Sequence, residues 1–108
     1  MSVENFNIQI RKGLLEFCVL QIISKEELFT SEIIKELYKL KITAAEGTIY
    51  PLLNRLKKKG YINHNWRESR LGPPRKYYSI SYEGALQLKN LEISWNEIEA
   101  SVKKLLKK

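Results

Sequence analysis

Six apolar residues near the C-terminus recur at alternating steps of three and four: Leu88, Leu91, Trp95, Ile98, Val102 and Leu105. That spacing keeps one stripe of a helix facing the same way, and sustained over nearly three heptads it is a coiled-coil seam. Left uncovered, such a stripe is a large exposed apolar patch. A second copy of the chain is the expected cover. Folding of the last helix back onto its own core is the other way to bury it.

The chain has 108 residues, 44% hydrophobic and 29% charged, which suits one folded domain and not a disordered tail. It holds no internal repeats and no low-complexity linkers. All twelve acidic residues are Glu, so a catalytic Asp, an Asp-rich calcium loop and a magnesium-holding Asp are excluded. One cysteine, Cys18, permits no internal disulfide and no thiolate zinc cluster, and one histidine, His64, permits no multi-histidine metal site. No cofactor is expected. The polar opening MSVENFNIQIRKG is not a signal peptide, and no apolar run reaches transmembrane length, so a cytoplasmic location is expected.

The net charge of +7 is concentrated. Between Asn54 and Lys76 stand Arg55, Lys57, Lys58, Lys59, Arg67, Arg70, Arg75 and Lys76 against Glu68 alone, while the rest of the chain carries eleven basic and eleven acidic residues. A run of lysines by itself is usually only a solvated face. A neutral body with one strongly basic stretch is the footprint of a polyanion partner.

Along the chain, the long apolar stretch Ile8 to Ile23 reads as a first helix, apolar on more than one face and therefore covered from two sides. Thr30 or Ser31 is suited to cap a short second helix, whose stripe is Ile33, Ile34, Leu37 and Tyr38, with Lys39 and Lys41 at its C-terminal end. Thr43 and Glu46 have the spacing of a capping box ahead of a third helix from Ala44 to Lys59. Ile49, Leu52, Leu53 and Leu56 form its buried stripe, and Gly60 ends it. Pro51 inside that helix costs up to ~3 kcal/mol, so either the helix bends or it starts nearer Thr48. Tyr61 to Trp66 and Arg75 to Ile80 read as two strands joined by Leu71-Gly72-Pro73-Pro74. Ser81 then caps the final helix.

The order helix, helix, helix, hairpin, helix is a winged helix-turn-helix (residues 8–81) followed by a dimerisation helix (residues 82–108), mainly α with one small β-hairpin, in a single domain of residues 1–108. The third helix buries its apolar stripe and turns Thr48, Asn54, Arg55 and Lys58 outward. A helix fits the major groove of duplex DNA, where such side chains read base edges or hold phosphates. The hairpin brings Arg70, Arg75 and Lys76 toward the flanking backbone or minor groove.

EGTIYPLLNRLKKKGYI (Glu46 to Ile62) and GPPRKYYSISYEG (Gly72 to Gly84) resemble the signature of the PadR family of bacterial transcriptional regulators. RKGLLEFCVLQII and the C-terminal helix fit the same pattern, so the resemblance runs from about Arg11 to Val102, within the family's short subgroup. It implies a winged-helix homodimer that binds an inverted-repeat operator and represses, often beside its own gene. It assigns DNA contact to Thr48, Tyr50 and Arg55 on the third helix and to Arg75 and Lys76 in the wing; Tyr50 rests on the resemblance alone. It also implies that the C-terminal helix packs against the partner's first helix, which suits the two-faced first helix and the uncovered seam.

In multidrug-sensing members of the family, a Trp at the position matching Trp95 stacks planar aromatic cations in a pore between subunits. Here Glu16, Phe17 and Gln21 on the first helix, with Glu92 and Glu99, are the residues that would line such a pore. Carboxylates beside an indole favour a flat cationic ligand. The alternative is a Trp that only fills the dimer interface. Cys18 reads as a small core hydrophobe, not a redox sensor, and His64 as a surface wing residue. Tyr78 is expected to face the core and Trp66 to pack across the hairpin. The terminal KKLLKK reads as the continuation of an amphipathic helix, not a membrane anchor.

The function expected from these features is a sequence-specific homodimeric repressor, released by a small aromatic effector. A non-specific architectural nucleic-acid-binding protein would use the same basic stretch. A protein-interaction module would not need the charge concentration. No nucleophile–base pair and no phosphate-cradling glycine loop points to an enzyme.

Overall fold

The computed structural model describes residues 1–107. The element order is α1 (Val3–Lys25), β1 (Leu28–Phe29), α2 (Thr30–Lys39), α3 (Glu46–Lys58), β2 (Ile62–Ser69), β3 (Gly72–Ile80) and α4 (Tyr82–Leu106). The architecture is mainly helical with one small antiparallel sheet in the order β1-β3-β2, a winged helix-turn-helix with a long C-terminal helix. No helix among the described residues is long and apolar enough to cross a membrane.

The core is built where the apolar stripes meet. Val19, Leu20 and Ile23 of α1, Ile33 and Leu37 of α2, and Ile49, Leu52, Leu53 and Leu56 of α3 are buried together with Leu28, Ile62, Tyr78 and Leu88. Tyr78 faces inward as its alternation with Tyr77 requires, and it pairs with Leu28 on one side and His64 on the other. α1 starts at Val3, before the expected Ile8, capped by Ser2, whose Oγ accepts from the Asn5 N–H at 3.0 Å, and the first ten residues of the chain are all exposed.

Several local expectations are corrected. The N-cap of α2 is Phe29, not Thr30 or Ser31. Thr30 is already helical and buried, and Glu32 supplies the stabilisation by accepting from the Phe29 N–H at 3.2 Å. The N-cap of α3 is Ala45, without a side-chain cap, so the Thr43–Glu46 capping box does not form. The chain leaves α2 through Lys41 in the left-handed region (φ 61), and Ile42 then bonds back to Leu37 at 3.0 Å, which puts Thr43 outside the next helix. Pro51 lies inside α3, which keeps its start at Glu46. The carbonyl that its missing N–H would have met is that of Gly47, in the exposed first turn, where it is open to solvent.

The hairpin is longer than the alternating stretches suggested. Its turn is the pair Arg70-Leu71, and Gly72-Pro73-Pro74 belongs to β3. Ser69 pairs with Gly72 and Arg67 with Arg75, so two prolines oppose the single residue Glu68 in a bulge. A bulge needs no ladder donor at those positions, and β1 reaches only Tyr77 and Tyr78 on the other edge, so both prolines are tolerated. The two-residue strand β1 had no sequence signal.

Gly60, at φ 80, ends α3, and Ser81 caps α4 by accepting from the Gly84 N–H at 3.0 Å. A Cβ on Gly84 would collide with the carbonyl of Tyr61. This close approach sets the first turn of α4 against the end of α3. From there α4 runs past α1, and the molecule is elongated, 58 × 31 × 20 Å.

Candidate nucleic-acid interface

On α3, the buried residues Ile49, Leu52, Leu53 and Leu56 occupy one side, so helical geometry turns Tyr50, Asn54, Arg55 and Lys58 to the other. All four are exposed, as is Thr48. The last turn carries Arg55, Lys57 and Lys58, a favourable position at the negative end of the helix dipole.

The wing stands beside this helix. A cleft of about 590 Å³ is lined by Tyr50, Asn54 and Glu46 of α3, by Phe29, Thr30 and Ser31 at the start of α2, and by Trp66, Pro74, Arg75, Lys76 and Tyr78 of the hairpin. Two α3 residues and the two wing cations singled out by the sequence therefore share one surface. Arg55 and Lys58 lie on α3 outside the cleft, and Arg70 stands in the exposed hairpin turn. Thr48 lines a different cleft, about 640 Å³, on the other flank of α3, in company with Arg11, Lys12 and Lys41. Recognition of those three cations was beyond the sequence, because α1 and the α2–α3 turn reach Thr48 only through the fold.

Side-chain contacts fix the wing. The Arg75 guanidinium lies 4.4 Å from the Phe29 ring centroid, and that of Arg67 lies 4.3 Å from the Tyr77 ring. Phe29 and Tyr77 meet edge to face at 5.3 Å, and Arg67 also pairs with Glu27. On the opposite face of the hairpin, Lys76 Nζ lies 5.6 Å from the Trp66 ring. Trp66 thus meets its cross-strand partner, as expected, yet 63% of it stays exposed. His64 is half-buried, with Nε2 3.4 Å from Lys57 Nζ. Partial burial, with Lys57 and Lys76 adding, pushes its pKa below the ordinary 6.5.

The residues considered for an aromatic effector divide between two elements. Phe17 and Gln21 line a cleft between α1 and α2 together with Cys18, whose thiol is pushed up by burial. Glu92, Trp95 and Glu99 share one face of α4, where Trp95 is half-buried. Two of the carboxylates have cationic neighbours of their own: Glu16 lies 3.8 Å from Lys59, and Glu99 lies 2.8 Å from Lys103. The seam residues divide as well. Leu88 is buried and Leu91 packs against the chain's own core, whereas Ile98, Val102 and Leu105 are exposed by 57%, 49% and 85%.

The chain matches the model of the transcriptional regulator PadR-like family over residues 19–90. Among solved structures it is similar to a PadR-like transcription factor from Bacteroides fragilis, at 42% identity over 94% of this chain and 98% of that one, with a TM-score of 0.78. It is similar to a PadR-like transcriptional regulator from Bacillus cereus, at 42% identity over 93% and 98% of the two chains, with a TM-score of 0.83. A PadR family transcriptional regulator from Eggerthella lenta shares 30% identity over 97% and 92%, with a TM-score of 0.88. No curated protein matches the chain.

Proposed function

The chain belongs to the PadR-like family of transcriptional regulators, and on that premise we propose that it is a cytoplasmic homodimeric repressor of an inverted-repeat operator. In this reading α3 enters the major groove, where Thr48, Tyr50, Asn54, Arg55 and Lys58 meet bases and phosphates, and Arg70, Arg75 and Lys76 of the wing hold the flanking strand. The observation that carries it is the shared cleft of Tyr50, Asn54, Arg75 and Lys76, which joins the outward face of α3 to the wing in one basic surface.

The dimer is supported by two sets of unpartnered apolar side chains in the single chain: Phe6, Ile8 and Ile10 on α1, and Ile98, Val102 and Leu105 on α4. Each copy's α4 covers the partner's α1, with Trp95 near the two-fold axis. A planar aromatic cation held between the Trp95 side chains, with Glu92 and Glu99 beside them, is the proposed effector. Phe17, Gln21 and Glu16 of α1 complete that site.

Selection of bound sequences from random duplex DNA at near-physiological salt tests the proposal. An enriched inverted repeat with half-sites about one helical turn apart supports it. Binding without enrichment supports a non-specific architectural protein instead.

A further inference from the structure

We propose that the Trp66 indole packs directly against the DNA strand that lies between α3 and the wing, a contact that rests on the reading of this face as the DNA interface. The strand register carries the argument. Ile62, His64 and Trp66 pair with Ile80, Tyr78 and Lys76, so these six side chains share one face of the hairpin. Ile62 and Tyr78 on that face are buried in the core at 1% and 2% exposure. Two residues further out the same face leaves the core behind, and Trp66 emerges 63% exposed into the cleft that Tyr50 and Asn54 of α3 also line.

Its surroundings select the occupant. Lys76 Nζ lies 5.6 Å from the indole, Arg75 lines the same cleft, and Lys57 approaches from α3 to reach His64. An indole with a lysine against it and an arginine in the same cleft suits a partner with an anionic edge and an apolar interior, which describes a sugar–phosphate strand. Glu46, in the first turn of α3, is the one acid in the cleft, against the two cations Arg75 and Lys76. Aromatic and other apolar side chains that reach the minor groove pack on deoxyribose or wedge at a base step without reading sequence. Trp66 would therefore add affinity on all duplexes and carry little discrimination, unlike the α3 side chains.

The test uses the full chain labelled with 5-fluorotryptophan and a mixed-sequence duplex roughly three helical turns long at low salt. Binding is followed independently by the anisotropy of a dye on the DNA. The Trp66 fluorine line, assigned by its disappearance in Trp66→Phe, should move in step with duplex bound. Trp66→Ala should bind about tenfold more weakly with an unchanged melting temperature, and Trp66→Phe should fall in between. Duplex binding with an unmoved Trp66 line, or wild-type affinity in Trp66→Ala, overturns the contact and leaves the interface reading intact. No duplex binding at all overturns both.

Discussion

Arg75 of the wing lies over the ring of Phe29, the N-cap residue of α2, with 4.4 Å between guanidinium carbon and ring centroid. The stack ties the hairpin to the helix-turn-helix at the edge of the cleft shared by Tyr50 and Lys76. A long, flexible cation is thereby held at one place on the wing, at a gain of about 0.5–1 kcal/mol for an exposed pair.

If the wing holds phosphates, replacing Arg75 and Lys76 together with Ala should weaken binding to operator and scrambled duplex alike. The slope of log affinity against log salt should become shallower by about 1 for each cation removed. Titrations at several salt concentrations measure it, and an unchanged slope would remove the wing from the interface. Phe29→Leu, which keeps both charges, should leave the slope alone and cost only a few-fold in affinity.

The seam makes a prediction that separates its two halves. Val102→Glu, at a half-exposed position of α4, should leave each chain folded and convert dimer to monomer in sedimentation equilibrium. Leu88→Ala should instead lower stability by about 2–4 kcal/mol, because it opens a cavity in the chain's own core. A folded, fully dimeric Val102→Glu protein would contradict the assignment of the exposed seam to the partner.

Helices α2 and α3 end in the same way, which allows a paired test. Lys41 (φ 61) and Gly60 (φ 80) each take the left-handed position, followed by bonds from Ile42 to Leu37 and from Tyr61 to Leu56. Lys41→Gly should raise stability by about 0.5–1 kcal/mol by relieving the Cβ strain, and Gly60→Ala should lower it by about 1 kcal/mol. Denaturant unfolding reads both.

His64 gives a pH dependence. Its pKa is lower in the folded chain than the ordinary 6.5, through partial burial and the facing cations Lys57 and Lys76, with the uncharged Trp66 and Tyr78 as its other neighbours. The unfolded chain therefore binds the proton more readily. This contribution to stability is complete above pH 6.5 and is lost as pH falls toward the folded-state pKa. Melting temperatures above and below that window should differ less in His64→Gln than in the wild type.

Much of this was legible in the residues, for local reasons. The α3 stripe of Ile49, Leu52, Leu53 and Leu56, the stop at Gly60, the Ser81 cap and the inward Tyr78 all follow from periodicity or from one side chain acting on nearby backbone. The caps of α2 and α3 lie away from the residues whose type suits a cap, because Thr30 is needed in the core and because Lys41 turns the chain before Thr43 can cap. A strand as short as Leu28–Phe29 has no period to detect and exists only through its pairing with Tyr77 and Tyr78. The site divides along the same line. Asn54, Arg55, Arg75 and Lys76 stood out by residue type and position. Phe29 beneath Arg75, Glu27 beside Arg67, and Arg11 near Thr48 are brought in by tertiary structure alone.

Methylation protection on a selected operator tests the placement of α3 most directly, since dimethyl sulfate marks guanine N7 in the major groove and adenine N3 in the minor groove. Two patches of protected guanine N7 about one helical turn apart, flanked by protected adenine N3, are the expected pattern for α3 in the major groove and the wing beside it. Tight binding with every guanine N7 still reactive would contradict it.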